Sequence, residues 1–225
     1  GKLFEPIRKT RIDEWARANG AKFEHVGQWM RAWYFPKAGE TFRQAIDREV
    51  KAVRDGCGIL DASTLGKIDI QGPDAAEFLN RIYTNAWLKL GVGRCRYGLM
   101  LKEDGMVMDD GVTTCVGENH YHMTTTTGGA ANVLSWLEEW HQTEWPDLKV
   151  FFSSVTEQWS VVAINGPKSR AVMQKLCTDV DFSAEAFPFM AMKEGTVAGI
   201  PARLYRISFT GELSYELNVP ANYGL

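Results

Sequence analysis

With 225 residues, 45% of them hydrophobic and 24% charged, the chain has a soluble composition, long enough for one large domain or two small ones. A formal net charge of −3 and the lack of a dense Lys/Arg block argue against nucleic acid as an obligate partner, since phosphate binding calls for a basic stripe. The four cysteines form no C-x-x-C, no apolar run nears the ~18 residues of a membrane span, and the start G-K-L-F-E-P is unlike a secretory leader, so the expectation is a cytoplasmic protein with reduced thiols and no membrane.

Residues 1–40 read as an irregular, aromatic-rich wrapping segment carrying Trp15, Trp29, Trp33, Tyr34 and Phe35, with one short helix near 11–19 closed by Gly20. The spacing of Phe42, Ala45, Ile46, Val50 and Val53 predicts a helix over 42–55, ended by Gly56. Leu65–Gln71 reads as a strand with Ile68 and Ile70 facing inward. Gly72-Pro73-Asp74 then opens a helix with Phe78, Leu79 and Ile82 on its apolar face. Residues 95–101, 106–116 and 121–126, separated by K-E-D-G and G-E-N turns, predict an antiparallel meander. A helix near 129–140 carries Val133, Leu134, Leu137 and Trp140.

The chain then repeats itself. I-Q-G-P-D-A-A-E-F-L-N-R-I-Y-T (70–84) aligns with I-N-G-P-K-S-R-A-V-M-Q-K-L-C-T (164–178), and the apolar pairs Phe78/Val172, Leu79/Met173 and Ile82/Leu176 coincide. Each copy reads as strand, Gly-Pro turn and amphipathic helix followed by a hairpin, at 95–116 and at 203–219. The expected fold class is therefore α+β: two related halves with antiparallel sheets, over 41–148 and 149–225, the second incomplete at its C-terminal end. Each hairpin offers an acid near its bend, Asp109 and Glu212, with Gly111 and Gly211 alongside. Two facing halves presenting two acids suit a small-molecule cleft.

Several sites are excluded by spacing. Gly91 and Gly93 lack the third glycine of a dinucleotide fingerprint, and no Walker A lysine or G-x-S-x-G occurs. His120 and His122 share a strand face but lack an evident third metal ligand, so no metal is expected. Asp109-Asp110 puts one acid on each face of a strand. Either one is solvated and the other caps a turn, or a recessed carboxylate meets a nitrogen base. Thr124–Thr127 before Gly128-Gly129 reads either as a strand end with a helix cap or as hydroxyls facing a heterocycle. F-T-G-E-L-S-Y-E-L (209–217) is a plain hairpin turn, or it places Glu212 beside Phe209 and Tyr215 as a reader of paired N–H groups on a flat ring.

V-G-Q-W (26–29), G-I-L-D-A-S (58–63), Q-G-P-D-A-A (71–76), Y-G-L-M (97–100), D-G-M-V-M-D-D-G-V (104–112) and F-T-G-E-L-S-Y-E (209–216) resemble the aminomethyltransferase family, which includes the T-protein of glycine cleavage. G-K-I-D-I-Q-G-P-D-A-A, T-T-T-T-G-G-A-A and S-V-T-E-Q-W resemble more narrowly its sarcosine oxidase branch, the C-terminal folate-binding half of the α subunit. Threonine where the T-protein has asparagine, and Ala62-Ser63-Thr64-Leu65 where it has V-S-H-M, fit that branch. The resemblance implies an aminomethyltransferase-like folate-binding fold without its third C-terminal barrel domain. It implies tetrahydrofolate as bound cosubstrate, and formation of 5,10-methylenetetrahydrofolate from the one-carbon unit of oxidised sarcosine. Asp109 matches the family's residue at the reacting nitrogens and is the expected catalytic base. Glu212 matches the pterin-binding glutamate, and Leu65, Tyr97, Thr125, Thr126, Phe209 and Tyr215 are expected to line the pocket. FAD or FMN and NAD belong elsewhere in a heterotetramer whose other subunits, with the remaining α-subunit domains, are the expected partners. A freestanding aminomethyltransferase and a non-catalytic folate-binding scaffold are the alternatives.

Overall fold

The computed structural model describes residues 7–225; of the expected wrapping segment, residues 1–6 lie outside the described residues. The rest of that segment is not irregular. It forms β1 (Arg8–Lys9), α1 (Asp13–Ala18), β2 (Lys22–Val26) and β3 (Trp29–Tyr34), in a three-stranded sheet of order β1-β3-β2. Gly27, at φ 58°, makes the tight turn between β2 and β3, and the Arg8 guanidinium lies 4.3 Å from the Trp29 ring. The hairpin was hidden because its side chains are bulky on both faces, so no clean apolar/polar alternation marks it.

Next come α2 (Phe42–Asp55), β4 (Gly58–Asp61), β5 (Gly66–Gln71) and α3 (Ala75–Ile82). Then follow β6 (Cys95–Leu101), β7 (Val107–Gly117), β8 (His120–Thr125), α4 (Ala130–Thr143) and β9 (Phe151–Ser154). The chain ends with β10 (Trp159–Asn165), α5 (Ser169–Leu176), β11 (Met192–Val197), β12 (Ile200–Tyr205) and β13 (Ser214–Pro220). A reciprocal capping box starts α2: Gln44 N–H donates to Thr41 Oγ1, and Thr41 N–H donates to Gln44 Oε1 at 2.9 Å. Of its apolar face, only Ala45 is buried, while Phe42 and Val50 stay exposed.

The chain divides into two compact units. The first comprises the described residues up to Thr64 with Glu157–Phe189 and Lys193–Leu225; the second comprises Leu65–Thr156 and Met190–Met192. In the first unit, besides the small N-terminal sheet, five strands lie in the order β11-β12-β13-β10-β4; in the second, five lie in the order β6-β7-β8-β5-β9. The two orders superimpose strand for strand. The edge strands are exchanged: β4 precedes β5 in the chain but pairs with β10, and β9 precedes β10 but pairs with β5.

The repeat holds in detail. α3 and α5 each have eight residues at the same spacing of 94, and Gly72 and Gly166 before them take φ 133° and 121°. Both glycines are also pressed by backbone: a Cβ at Gly72 would run into the Lys149 carbonyl, and one at Gly166 into those of Val53 and Gly56. The hairpin correspondence needs correction. The counterpart of β6–β7 is β11–β12, not residues 203–219, because the polar strand M-K-E-G-T-V intervenes. Asp109 and Glu212 therefore do not occupy equivalent positions.

In the second unit Ile68 and Ile70 of β5, Met100 of β6 and Met123 of β8 meet Phe78 and Leu79 of α3 and Val133 and Leu137 of α4. All are at most 1% exposed. In the first unit Phe182 and Phe187 pack on the Tyr215 ring, at 5.5 and 5.8 Å between centroids.

Candidate functional site

Strand pairing decides which acid faces where. Paired residues put their side chains on the same face, and neighbours along a strand alternate. Asp109 pairs with Met100, so it lies on the face covered by α3 and α4. Asp110 pairs with Leu99, and Tyr97 with Val112, so these four share the other face. Through Thr114 opposite His122, and Lys67 opposite Thr124, that second face continues over Lys67, Asp69, His122 and Thr124.

The two acids have different surroundings. Asp109 is 6% exposed, and its carboxylate accepts the Thr126 N–H at 3.3 Å (Oδ2) and 3.4 Å (Oδ1). A Cβ at Gly129, just before α4, would stand 2.9 Å from Asp109 Oδ2, so this glycine makes room for the acid. Burial raises the Asp109 pKa above the ordinary carboxylate value, and the bonds from Thr126 only partly oppose it. Asp110 instead accepts a 2.8 Å hydrogen bond from the Tyr97 hydroxyl. That bond to Asp110 holds the Tyr97 phenol above its usual value. Tyr97 is 48% exposed. Of the expected pocket residues, Tyr97 is thus brought together with Asp110, while Asp109 lies on the opposite face of the same strand.

The glycine after the two acids is a packing requirement. A Cβ at Gly111 would collide with the Thr124 carbonyl of β8. Thr124 then supplies the hydrogen bonds at this point, donating to the Val112 carbonyl at 2.9 Å and accepting the Val112 N–H at 3.1 Å. Of the threonine run, Thr125 is buried and donates to the Thr126 carbonyl at 2.9 Å. Thr126 Oγ1 accepts the Gly129 N–H at 3.1 Å, as a helix start requires. Thr126 is exposed and Leu65 is half-buried.

The same face holds groups that sequence reading missed. Lys67 is fully buried, and its ammonium donates to the Leu65 carbonyl at 2.8 Å. Asp69 is bracketed by His122 Nδ1 at 2.7 Å and His120 Nε2 at 3.0 Å. Burial works against the Asp69 carboxylate, but the two histidines outweigh it and hold its pKa below the ordinary value, His122 most of all. Alternation outward from Asp110 would have found Val112. Among the described residues no group of three or more His, Cys, Asp or Glu is placed to hold a metal ion.

In the first unit a cleft of about 670 Å³ lies against α2 and β4, lined by Trp15, Trp33, Phe35, Val53, Ile59 and Glu212 among others. The exposed apolar side of α2 is its wall. Glu212 is bonded to the Arg54 guanidinium of α2 at 2.7 Å, a partner that 158 residues of separation concealed in the sequence. The two aromatic companions expected for Glu212 separate. Phe209 is 90% exposed, whereas Tyr215 is fully buried, its hydroxyl accepting from Arg170 Nε at 3.3 Å. Tyr215 packs in the core, where β13 turns it toward α5.

Residues 12–225 match the family model described as the GCVT N-terminal domain. The chain is 58% identical to the sarcosine oxidase subunit alpha of Corynebacterium sp. (strain U-96), across all of this chain and 23% of that one. It is 30% identical to the aminomethyltransferase of Koribacter versatilis (strain Ellin345), across 96% of this chain and 54% of the other. A solved glycine cleavage system aminomethyltransferase T from Bartonella henselae has the same fold, with a TM-score of 0.79 at 22% identity over 96% of this chain and 54% of that one. The chain thus spans about a quarter to a half of the length of these curated relatives.

Proposed function

The chain belongs to the GCVT N-terminal domain family, and on that footing we propose that it is the folate-binding part of a longer sarcosine oxidase α subunit. In this reading it binds tetrahydrofolate and assists formation of 5,10-methylenetetrahydrofolate from the one-carbon unit released by sarcosine oxidation. Identity of 58% to a sarcosine oxidase subunit alpha, against 30% to an aminomethyltransferase, favours that branch. The observation that carries the site is the Tyr97–Asp110 pair, 2.8 Å apart on the sheet face that α3 and α4 leave uncovered.

Bound tetrahydrofolate would supply nitrogen nucleophiles that accept the one-carbon unit. The chain's own residues supply position and proton transfer. Asp110, held by the Tyr97 hydroxyl, is the group to take the nitrogen's proton; such a positioned base contributes about 10²–10⁴ in rate. Tyr97 fixes the carboxylate and offers a ring edge to a flat ligand. Leu65, Val112 and Thr126 are the proposed apolar and polar neighbours on this unit. Asp109, behind the sheet, holds Thr126 in place through its N–H. In the first unit, Glu212 has the two acceptor oxygens that match the paired N–H groups of a pterin. One of them, Oε1, is held by Arg54. Flavin and nicotinamide chemistry belongs to other domains and subunits of the assembly, the proposed partners.

The test is a product assay with sarcosine and the complete assembly. With tetrahydrofolate present, wild-type enzyme yields 5,10-methylenetetrahydrofolate. Asp110→Asn leaves sarcosine consumption near wild type and diverts the carbon to formaldehyde. Unchanged folate product in that variant overturns the reading.

A further inference from the structure

Arg54 and Glu212 lie 158 residues apart in the chain, yet a single turn of the first unit fixes both. Gly166, before α5, packs against the Val53 and Gly56 carbonyls at the end of α2, and Lys168 N–H donates to the Gly56 carbonyl at 3.0 Å. The same turn holds Leu213, whose carbonyl accepts the Gly166 N–H at 2.8 Å and the Ser169 hydroxyl at 2.9 Å. Arg54 therefore leaves the last turn of α2, where the helix dipole favours a cation, next to the residue preceding Leu213. The resulting bond from Arg54 Nη1 to Glu212 Oε1 is 2.7 Å long. The Arg54 side chain is 65% exposed and that of Glu212 18%, so Arg54 can be replaced with little loss of packing. Among the described residues lining this cleft Arg54 is the only cation, and Glu49 and Asp61 add to its acid.

A carboxylate has about four lone-pair sites, so Glu212 Oε1 can accept from Arg54 and still join Oε2 in accepting a pair of ring N–H groups. A 2-amino-4-oxo ring, as in a pterin, offers that pair as a neutral group. A 2,4-diamino ring has an acceptor nitrogen in place of one N–H. It offers the pair only after taking up a proton, and so arrives as a cation. A bare carboxylate favours the cation; with a guanidinium at 2.7 Å, much of that attraction is offset. Resting on the reading of Glu212 as the pterin-binding group, we infer that Arg54 is a positioning and specificity residue of that site. It orients the Glu212 carboxylate and selects a neutral 2-amino-4-oxo ring over a cationic 2,4-diamino one.

The test is equilibrium binding to the complete oxidase assembly of two probes that differ only at ring position 4: tetrahydrofolate and its 4-amino-4-deoxy counterpart. Wild-type enzyme should prefer tetrahydrofolate. Arg54→Gln should weaken tetrahydrofolate about tenfold, the low end for a lost hydrogen bond to a charged group, and leave the diamino probe no weaker. Arg54→Lys, which keeps the charge, should keep the preference. In a Glu212→Gln background, Arg54→Gln should change neither affinity, because the group it acts through is gone. Equal weakening of both probes in Arg54→Gln marks a merely structural role and overturns the inference, as does a preference left intact. If Glu212→Gln itself leaves tetrahydrofolate binding unchanged, Glu212 is not at the pterin, and that reading falls together with this one. If Glu212→Gln weakens binding while Arg54→Gln leaves the preference as it was, the inference about Arg54 falls alone.

Discussion

Replacing each member of the acid pair in turn, Asp110→Asn and Asp109→Asn, separates two side chains that adjoin in sequence and lie on opposite faces of β7. The amide keeps size and acceptor capacity, so the Tyr97 hydroxyl can still donate at position 110, where it now stands 2.8 Å from a carboxylate. What Asp110→Asn removes is the base. A positioned general base is worth about 10²–10⁴ in rate, which at 1.36 kcal/mol per decade is about 3–5 kcal/mol of barrier. Tyr97→Phe removes only the bond. A hydrogen bond to a charged acceptor is worth about 1.5–3 kcal/mol, and with Tyr97 48% exposed the low end applies, or about tenfold. Asp109→Asn should cost less than tenfold, because that carboxylate lies behind the sheet with 6% exposure. The assay is single-turnover formation of 5,10-methylenetetrahydrofolate in the complete oxidase, with sarcosine consumption followed in parallel. A larger loss in Asp109→Asn than in Asp110→Asn would refute the assignment of faces to roles.

The remaining predictions concern stability, pH and the pterin. Phe78 is fully buried, 4.9 Å from the Phe152 ring and 5.6 Å from that of Trp145 between centroids, so Phe78→Ala should cost about 3–5 kcal/mol in urea unfolding; a loss under 1 kcal/mol contradicts the described core. Gly111→Ala drives a Cβ into the Thr124 carbonyl and should cost about 1–3 kcal/mol by the same measurement. Because burial raises the Asp109 pKa in the folded chain, the native state binds that proton more tightly than the unfolded chain does. The Asp109 contribution to stability therefore falls as pH rises from the ordinary carboxylate value through the folded one. Asp109→Asn should be more stable than wild type at pH 7, and the gap should close below about pH 4; parallel stability curves from pH 3 to 7 refute this. Glu212→Gln should weaken tetrahydrofolate binding more than it slows turnover at saturation, and the reverse pattern removes Glu212 from the pterin.

Local periodicity carried much of the fold. The apolar spacing in residues 42–55 located α2 to the residue, and the Gly-Pro repeat located α3 and α5, because amphipathic helices and left-handed glycine turns are written in adjacent residues. The meander was legible for the same reason. β11 was not, since an edge strand reading M-K-E-G-T-V has no apolar alternation. Within the site, alternation established that Asp109 and Asp110 face opposite ways. Which face the helices cover is a tertiary fact, set by Met100 and Met123 meeting α3 and α4, and no stretch of neighbouring residues encodes it. The burial of Tyr215 was hidden for a related reason: Ser214 and Tyr215 are both buried, so the strand gives no polar side by which to orient it. Arg54, reaching Glu212 from α2, is a long-range pairing of the same kind.

The measurement closest to the central proposal is the structure of the complete oxidase assembly with tetrahydrofolate bound. The account predicts a reactive folate nitrogen within hydrogen-bonding distance, about 3 Å, of the Asp110 carboxylate, with the Tyr97 hydroxyl still on that carboxylate. Folate bound anywhere that leaves Tyr97 and Asp110 untouched would contradict it.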